Sequence, residues 1–133
     1  MVLASCPITT SAASSNKFDF LMRFYDLNET AFAYHRHCLS SQGVINERFL
    51  KTLEVVADEL FFEAQKNDPA MSPEHIKTKI LERRYKIQYK LDHVNMNEGC
   101  YSQDSLLAKE HYEEFSNYQK PAILKFIDDN TLD

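Results

Sequence analysis

Apolar side chains recur along this chain in steps of three and four, a spacing that places one stripe on one face of a helix. Phe20, Phe24, Leu27, Ala31, Tyr34 and Cys38 make the first stripe. Gly43 interrupts it, and Ile45, Phe49, Leu53, Val56, Leu60 and Ala64 make a second, which runs out near Asn67-Asp68-Pro69. Ser72 before Pro73 is a helix start: the hydroxyl accepts an early backbone N–H, and proline sits where a helix has no use for its missing donor. Ile76, Ile80, Ile87, Leu91 and Val94 mark a third helix that Gly99 closes. Ser102 and Asp104 open a fourth, carried by Leu107, Phe115 and Tyr118. Pro121 lacks a backbone donor, so it either kinks that fourth helix or starts a short fifth one.

Four helices of similar length with short connections predict an all-α fold, an antiparallel up-down-up-down four-helix bundle with room for a short fifth helix after Pro121. The bundle spans 17–133, and 1–16 reads as a flexible polar tether. In that topology the end of the first helix and the start of the fourth share one end of the bundle. Cys38 and Cys100 are therefore expected to meet as a disulfide, which persists only in an oxidising compartment. The alternative is two separate buried thiols.

Charge and aromatic content sharpen the picture. A formal net charge of -5 argues against a general nucleic-acid binder, which needs excess Lys and Arg. No run approaches the ~18 apolar residues of a membrane-spanning helix. Lys79, Arg83, Lys86 and Lys90 share one face of the third helix, and Glu54, Asp58, Glu59 and Glu63 crowd the second. These faces either pair with each other and with water, or form a basic strip for an acidic partner surface or lipid headgroups. Arg84 sits beside the apolar stripe and needs a carboxylate partner, for which Glu110 or Glu114 is the candidate. Arg84→Met is then expected to be tolerated better than loss of that carboxylate alone. The nine phenylalanines, Phe62 included, are expected to be mostly core. Leu81, Tyr85 and Tyr89 form a second stripe on the third helix, with Tyr112 and Tyr118 on the fourth. Tyrosine beside arginine suits protein recognition, because it buries area and keeps a polar tip. Lys79, Arg83, Tyr85, Lys86, Tyr89, Lys90, Tyr112 and Tyr118 are thus the expected partner-binding residues.

Chemistry beyond binding finds little support. His35 and His37 point about 200° apart on a helix, so they cannot face one ion together. A zinc set would need one of them, such as His37, with His93 and the two cysteines. No His-Glu-x-x-His pair, phosphate loop, nucleophile elbow or Cys-x-x-Cys occurs, so neither an enzyme nor a cofactor is expected. His75 and His111 read as surface or interhelical hydrogen-bonding groups.

Leu3-Ala4-Ser5-Cys6, followed by the polar stretch from Pro7 to Asn16, resembles the lipobox of a bacterial lipoprotein. The resemblance implies that Cys6 becomes the lipidated first residue of the mature protein. Only Met1-Val2 precede Leu3, too few for a secretory leader, so the resemblance also implies a leader upstream. Pro7, where an aspartate would favour inner-membrane retention, points to the outer membrane. The expected function is a periplasmic, lipid-anchored module that binds another periplasmic or envelope protein. By analogy of class alone, it is similar to immunity proteins against periplasmic toxins and to secretin pilotins. The alternative is a metal or small-ligand carrier using His and Cys at one end of the bundle.

Overall fold

The computed structural model describes residues 5–38 and 43–131, with the side chains of 5–15, 43–46 and 92–98 outside the description. The chain forms an all-α bundle of five helices: α1 (Ser5–Cys38), α2 (Gly43–Asn67), α3 (Pro73–Glu98), α4 (Gln103–Phe115) and α5 (Lys120–Thr131). The expected boundaries fall where their local chemistry places them. The Ser72 hydroxyl accepts the His75 N–H at 3.2 Å, and the Ser102 hydroxyl accepts the Ser105 N–H at 3.1 Å, each satisfying a first-turn donor. Gly99 closes α3 at φ +78°, a left-handed conformation that a side chain would disfavour. Pro121 begins a fifth helix rather than kinking the fourth, because α4 already stops at Phe115. The Thr52 hydroxyl on α2 donates to the Phe115 carbonyl at 2.8 Å and so satisfies an acceptor at that end.

One boundary differs. α1 starts at Ser5, so residues 5–16 of the stretch 1–16 expected as a lipobox-like start and tether belong to the helix. No glycine occurs there, and the one proline, Pro7, lies in the first turn where its missing N–H costs nothing. Leu3 and Ala4 of the lipobox-like motif lie outside the described residues, as does the side chain of Cys6.

The arrangement is not a simple ring. α1 packs against all four other helices, whereas α3 packs on α1 and α2 alone beyond incidental contact. A helix contacted from so many sides buries a broad arc: Leu21, Phe24, Tyr25, Asn28, Ala31 and His35 face inward, flanked by Glu29 and Tyr34. Leu27, expected in the core stripe, is 53% exposed on the side that remains. On α4 the inward set is Ser105, Ala108, Tyr112 and Phe115. Leu107 precedes Ala108 by one residue, about 100° round the helix, and is exposed. Phe62, expected in the core, is 56% exposed as well.

Phe20, Phe24, Phe115 and Phe126 form an aromatic cluster where α1, α4 and α5 meet, with Phe24 at 5.2 Å from Phe115 and 5.1 Å from Phe126 between ring centroids. At the other end Cys38 and Cys100 form a disulfide, with their Cα atoms 5.5 Å apart. It ties the end of α1 to the turn before α4, the juxtaposition that the up-down order implies.

Candidate functional site

Among the described residues α3 packs closely on two helices, α1 and α2, and hollows remain along both of its flanks. One flank carries the larger groove, about 780 Å³, floored by α1 and walled by α2 and α3. Leu50, Leu53, Ala57, Phe61 and Phe62 supply one wall, and Lys77, Ile80, Leu81 and Arg84 the other. A second hollow of about 510 Å³ continues along α3 between Leu81, Arg84, Tyr85, Gln88, Tyr89 and Arg36 of α1. The two share Leu81 and Arg84, so the surface is continuous. Its rim includes most of the large apolar side chains that the fold leaves in water: Leu50 at 37%, Phe62 at 56%, Leu81 at 45%, Tyr85 at 65% and Tyr89 at 78% exposure.

The floor of the groove is polar. Glu29 is 1% exposed, and its carboxylate lies 3.4 Å from Nε of Arg84. Nε2 of Gln88 donates to both the Glu29 carboxylate and the Glu29 carbonyl at 3.1 Å. Burial pushes the Tyr25 phenol well above its ordinary pKa, and the charge and hydrogen bond of Glu29 raise it further. The carboxylate thus has donors from α1 and α3, as a buried charge requires. Arg84 was expected to pair with Glu110 or Glu114 on α4. It pairs with α1 instead, because α3 and α4 do not pack together.

That geometry also reverses the expected tolerance of the pair. Arg84 keeps 38% of its side chain in solvent and Glu29 keeps 1%. An arginine deprived of its partner can turn to water, whereas a stranded Glu29 cannot.

Charge divides across the groove. Glu54 and Asp58 line the α2 side, and Lys77 and Arg84 the α3 side. Lys77 lies over the Phe61 ring at 5.7 Å. Arg36 and Arg84, from different helices, both lie over the ring of Phe32, at 5.9 and 5.8 Å from its centroid.

The eight residues expected to form one binding surface separate. Tyr85 and Tyr89 stand on the groove side of α3, joined by residues that the apolar stripes had hidden: Tyr25, Glu29, Arg36, Leu50 and Phe62. Lys79, Arg83 and Lys86 line a separate hollow of about 480 Å³, bounded by Phe18 and Met22 of α1 and by Leu60 and Ala64 of α2. Arg83 is held there by Asp26 through two hydrogen bonds of 2.6 and 2.7 Å, which push its pKa further above its ordinary value. The arginines of α3 therefore pair with α1 and not with the acidic face of α2. Lys90 is exposed and lines neither flank. Tyr112 is 3% exposed and stacks on His35 at 4.8 Å, which removes it from any surface. Tyr118 lies in the turn after α4, with its hydroxyl donating to Glu114 at 3.2 Å.

The expected metal alternative has lost its sulfurs, since Cys38 and Cys100 are bonded to each other and are not thiolates. Among the described residues no three His, Cys, Asp or Glu side chains are grouped to hold an ion. The side chain of His93 lies outside those residues. His111, expected as a surface or interhelical hydrogen-bonding group, packs against Phe24 and Phe115 instead, and its buried Nε2 has no partner. Burial lowers its pKa to about 4, and burial lowers that of His35 as well.

No protein-family model, curated protein or solved structure matches this chain. Among the described residues, no helix is long and apolar enough to cross a membrane.

Proposed function

We propose that this protein is a binding module of an oxidising, extracytoplasmic compartment, and that its groove between α2 and α3 receives an amphipathic helix of a partner protein. The observation that carries the reading is the continuous line of exposed Leu50, Phe62, Leu81, Tyr85 and Tyr89 along that groove. Contiguous exposed apolar surface bordered by charge is the mark of an interaction site, and a groove between two helices suits a third. Charge narrows the partner further. Its helix carries basic residues on the side that meets Glu54 and Asp58, and acidic residues on the side that meets Lys77 and Arg84.

The disulfide supports the compartment, because such a bond is rare where thiols are kept reduced. A lipid anchor at Cys6, and with it the outer membrane, rests on the lipobox-like residues and remains part of the proposal. Of the two jobs considered, the escort of a helical tail by a pilotin-like protein fits a groove more directly than the neutralisation of a toxin by an immunity protein.

A photo-crosslinking residue placed at Phe62, Leu81 or Tyr89, in cells that export the protein, tests the proposal. One partner crosslinked from these three positions and not from the exposed Leu107 of α4 supports it. Equal labelling from Leu107, or none from the groove, refutes it.

A further inference from the structure

The hollow of about 480 Å³ between α1, α2 and α3 shares only Ile80 with the lining of the proposed helix-binding groove. Its floor is apolar and comes from three helices: Phe18 and Met22 of α1, Leu60 and Ala64 of α2, Ile76 and Ile80 of α3. Leu60 and Ile76 are 1% and 2% exposed, so the core holds that floor in place. Met22 and Met71 are half-buried and unbranched, and adapt to what lies against them. A volume of this size suits a small molecule.

Cations border the floor on one side of α3. Counted from Ile76, Lys79 lies about 60° round the helix and Lys86 about 80° in the same sense, with Glu82 farther out at about 120°. The two lysines thus stand between the apolar floor and the acid, where their stems run along the floor and their ammonium groups reach its mouth. Both are exposed, and among the described residues neither has an ion pair or a hydrogen bond. Arg83 lines the same hollow but is engaged, since Asp26 holds it through two hydrogen bonds. Asp68, the remaining acid of the lining, is exposed in the turn after α2. An apolar hollow with two unpaired cations at its mouth complements an apolar chain that ends in one anionic head.

We propose that this hollow binds a single-chain amphipathic carboxylate of the fatty-acid class. The chain lies against Phe18, Met22, Leu60, Ile76 and Ile80, and the carboxylate accepts N–H groups of Lys79 and Lys86. The site is separate from the groove and does not depend on what the groove holds.

The test is calorimetric titration of the full oxidised chain with dodecanoate, kept below the concentration at which it aggregates. Dodecanol and dodecyltrimethylammonium, which carry the same chain on a neutral or a cationic head, are titrated beside it. Dodecanoate is expected to bind one-to-one, and the other two roughly tenfold more weakly or worse. Lys79→Gln combined with Lys86→Gln should abolish the preference for dodecanoate and leave dodecanol within about twofold. Ala64→Phe, checked by thermal melting to fold as the parent does, fills the floor and should weaken dodecanoate roughly tenfold or more. Methyl NMR signals of Met22, Leu60 and Ile76 in the unaltered chain should shift on titration, which locates the site even if that variant does not fold. Phe62→Asp, on the groove, should change the affinity by less than about twofold. Equal affinity for the three head groups would overturn the anionic site, as would shifts confined to Leu50 and Leu81 of the groove. Association with phosphatidylglycerol vesicles but not with dodecanoate would assign the lysines to a membrane surface and overturn the pocket.

Discussion

Phe24 and Glu29 lie five residues apart on the same buried helix and are held by opposite means. Phe24 meets the rings of Phe20, Phe115, Phe126 and His111, where α4 and α5 close over α1. Glu29 meets an arginine, a glutamine and a tyrosine, beneath α3 at the bottom of the groove. Where the bundle is closed, apolar packing suffices. Where it is open, the floor uses charge held in place by donors, which keeps a partly wet surface ordered without adding to its exposed apolar area.

The closed region should fail first. Phe24→Ala removes a fully buried ring from the aromatic cluster and is expected to cost about 3–5 kcal/mol in urea unfolding. Phe62→Ser, on the groove rim, should change stability by less than about 0.5 kcal/mol. A comparable loss from both would mean that the rim is as closely packed as the cluster, and the comparison would be void.

The disulfide stands next. Cys38 and Cys100 are 62 residues apart, and closing a loop of that size contributes roughly 4 kcal/mol by chain entropy, less where the unfolded chain keeps structure. The double serine variant is expected to lose up to that amount and to become insensitive to reducing agents. Its aromatic cluster should persist, as near-ultraviolet circular dichroism of the rings would show.

Acid should reach the closed region through His111. Its folded pKa, about 4, lies below the ordinary value of 6.5, so only the unfolded chain takes up the proton between those values. Stability present above pH 6.5 is therefore lost as pH falls toward 4, by roughly 3 kcal/mol at most. His35, whose pKa burial also lowers, acts in the same direction. His111→Phe should flatten the part of the pH profile that His111 causes. An unchanged slope from pH 6.5 to 4 would assign the acid sensitivity elsewhere.

Much of this fold was legible in the sequence because helix ends are local. Ser72-Pro73, Gly99 and Ser102 act within one turn, and the cysteine pairing followed from helix order alone. The site was less legible because it depends on how far each helix is rotated, and on which neighbours it lacks. The spacing of Phe20, Phe24 and Ala31 marks one stripe, yet α1 touches four helices and buries Tyr25, Asn28 and Glu29 as well. Polar residues carry no apolar signal, so the floor of the groove was invisible as core. The expected binding surface failed for a related reason: a ring of four helices would set α3 beside α4, and here the two are separated by α1. One signal was readable in advance, since Tyr85 lies two residues and about 160° round α3 from Arg83, so those two could not share a face.

The smallest expected effect tests the open region most closely, because it separates a carboxylate that is stabilised by its arginine from one that is merely near it. Removing Arg84 leaves Glu29 with Gln88 and Tyr25 as donors and no compensating charge in a site 1% exposed. Arg84→Met should therefore cost roughly 2 kcal/mol, below the figure for a fully buried pair because Arg84 is partly solvated. Glu29→Gln removes the charge, keeps an acceptor for Gln88, and frees an arginine that already reaches water, so its cost should stay under about 1 kcal/mol. The double variant should be no worse than Arg84→Met alone, since no charge remains to be stranded. If Glu29→Gln proves the more damaging, the arginine and not the carboxylate is the dependent partner, and the floor of the groove is held from α1 rather than from α3.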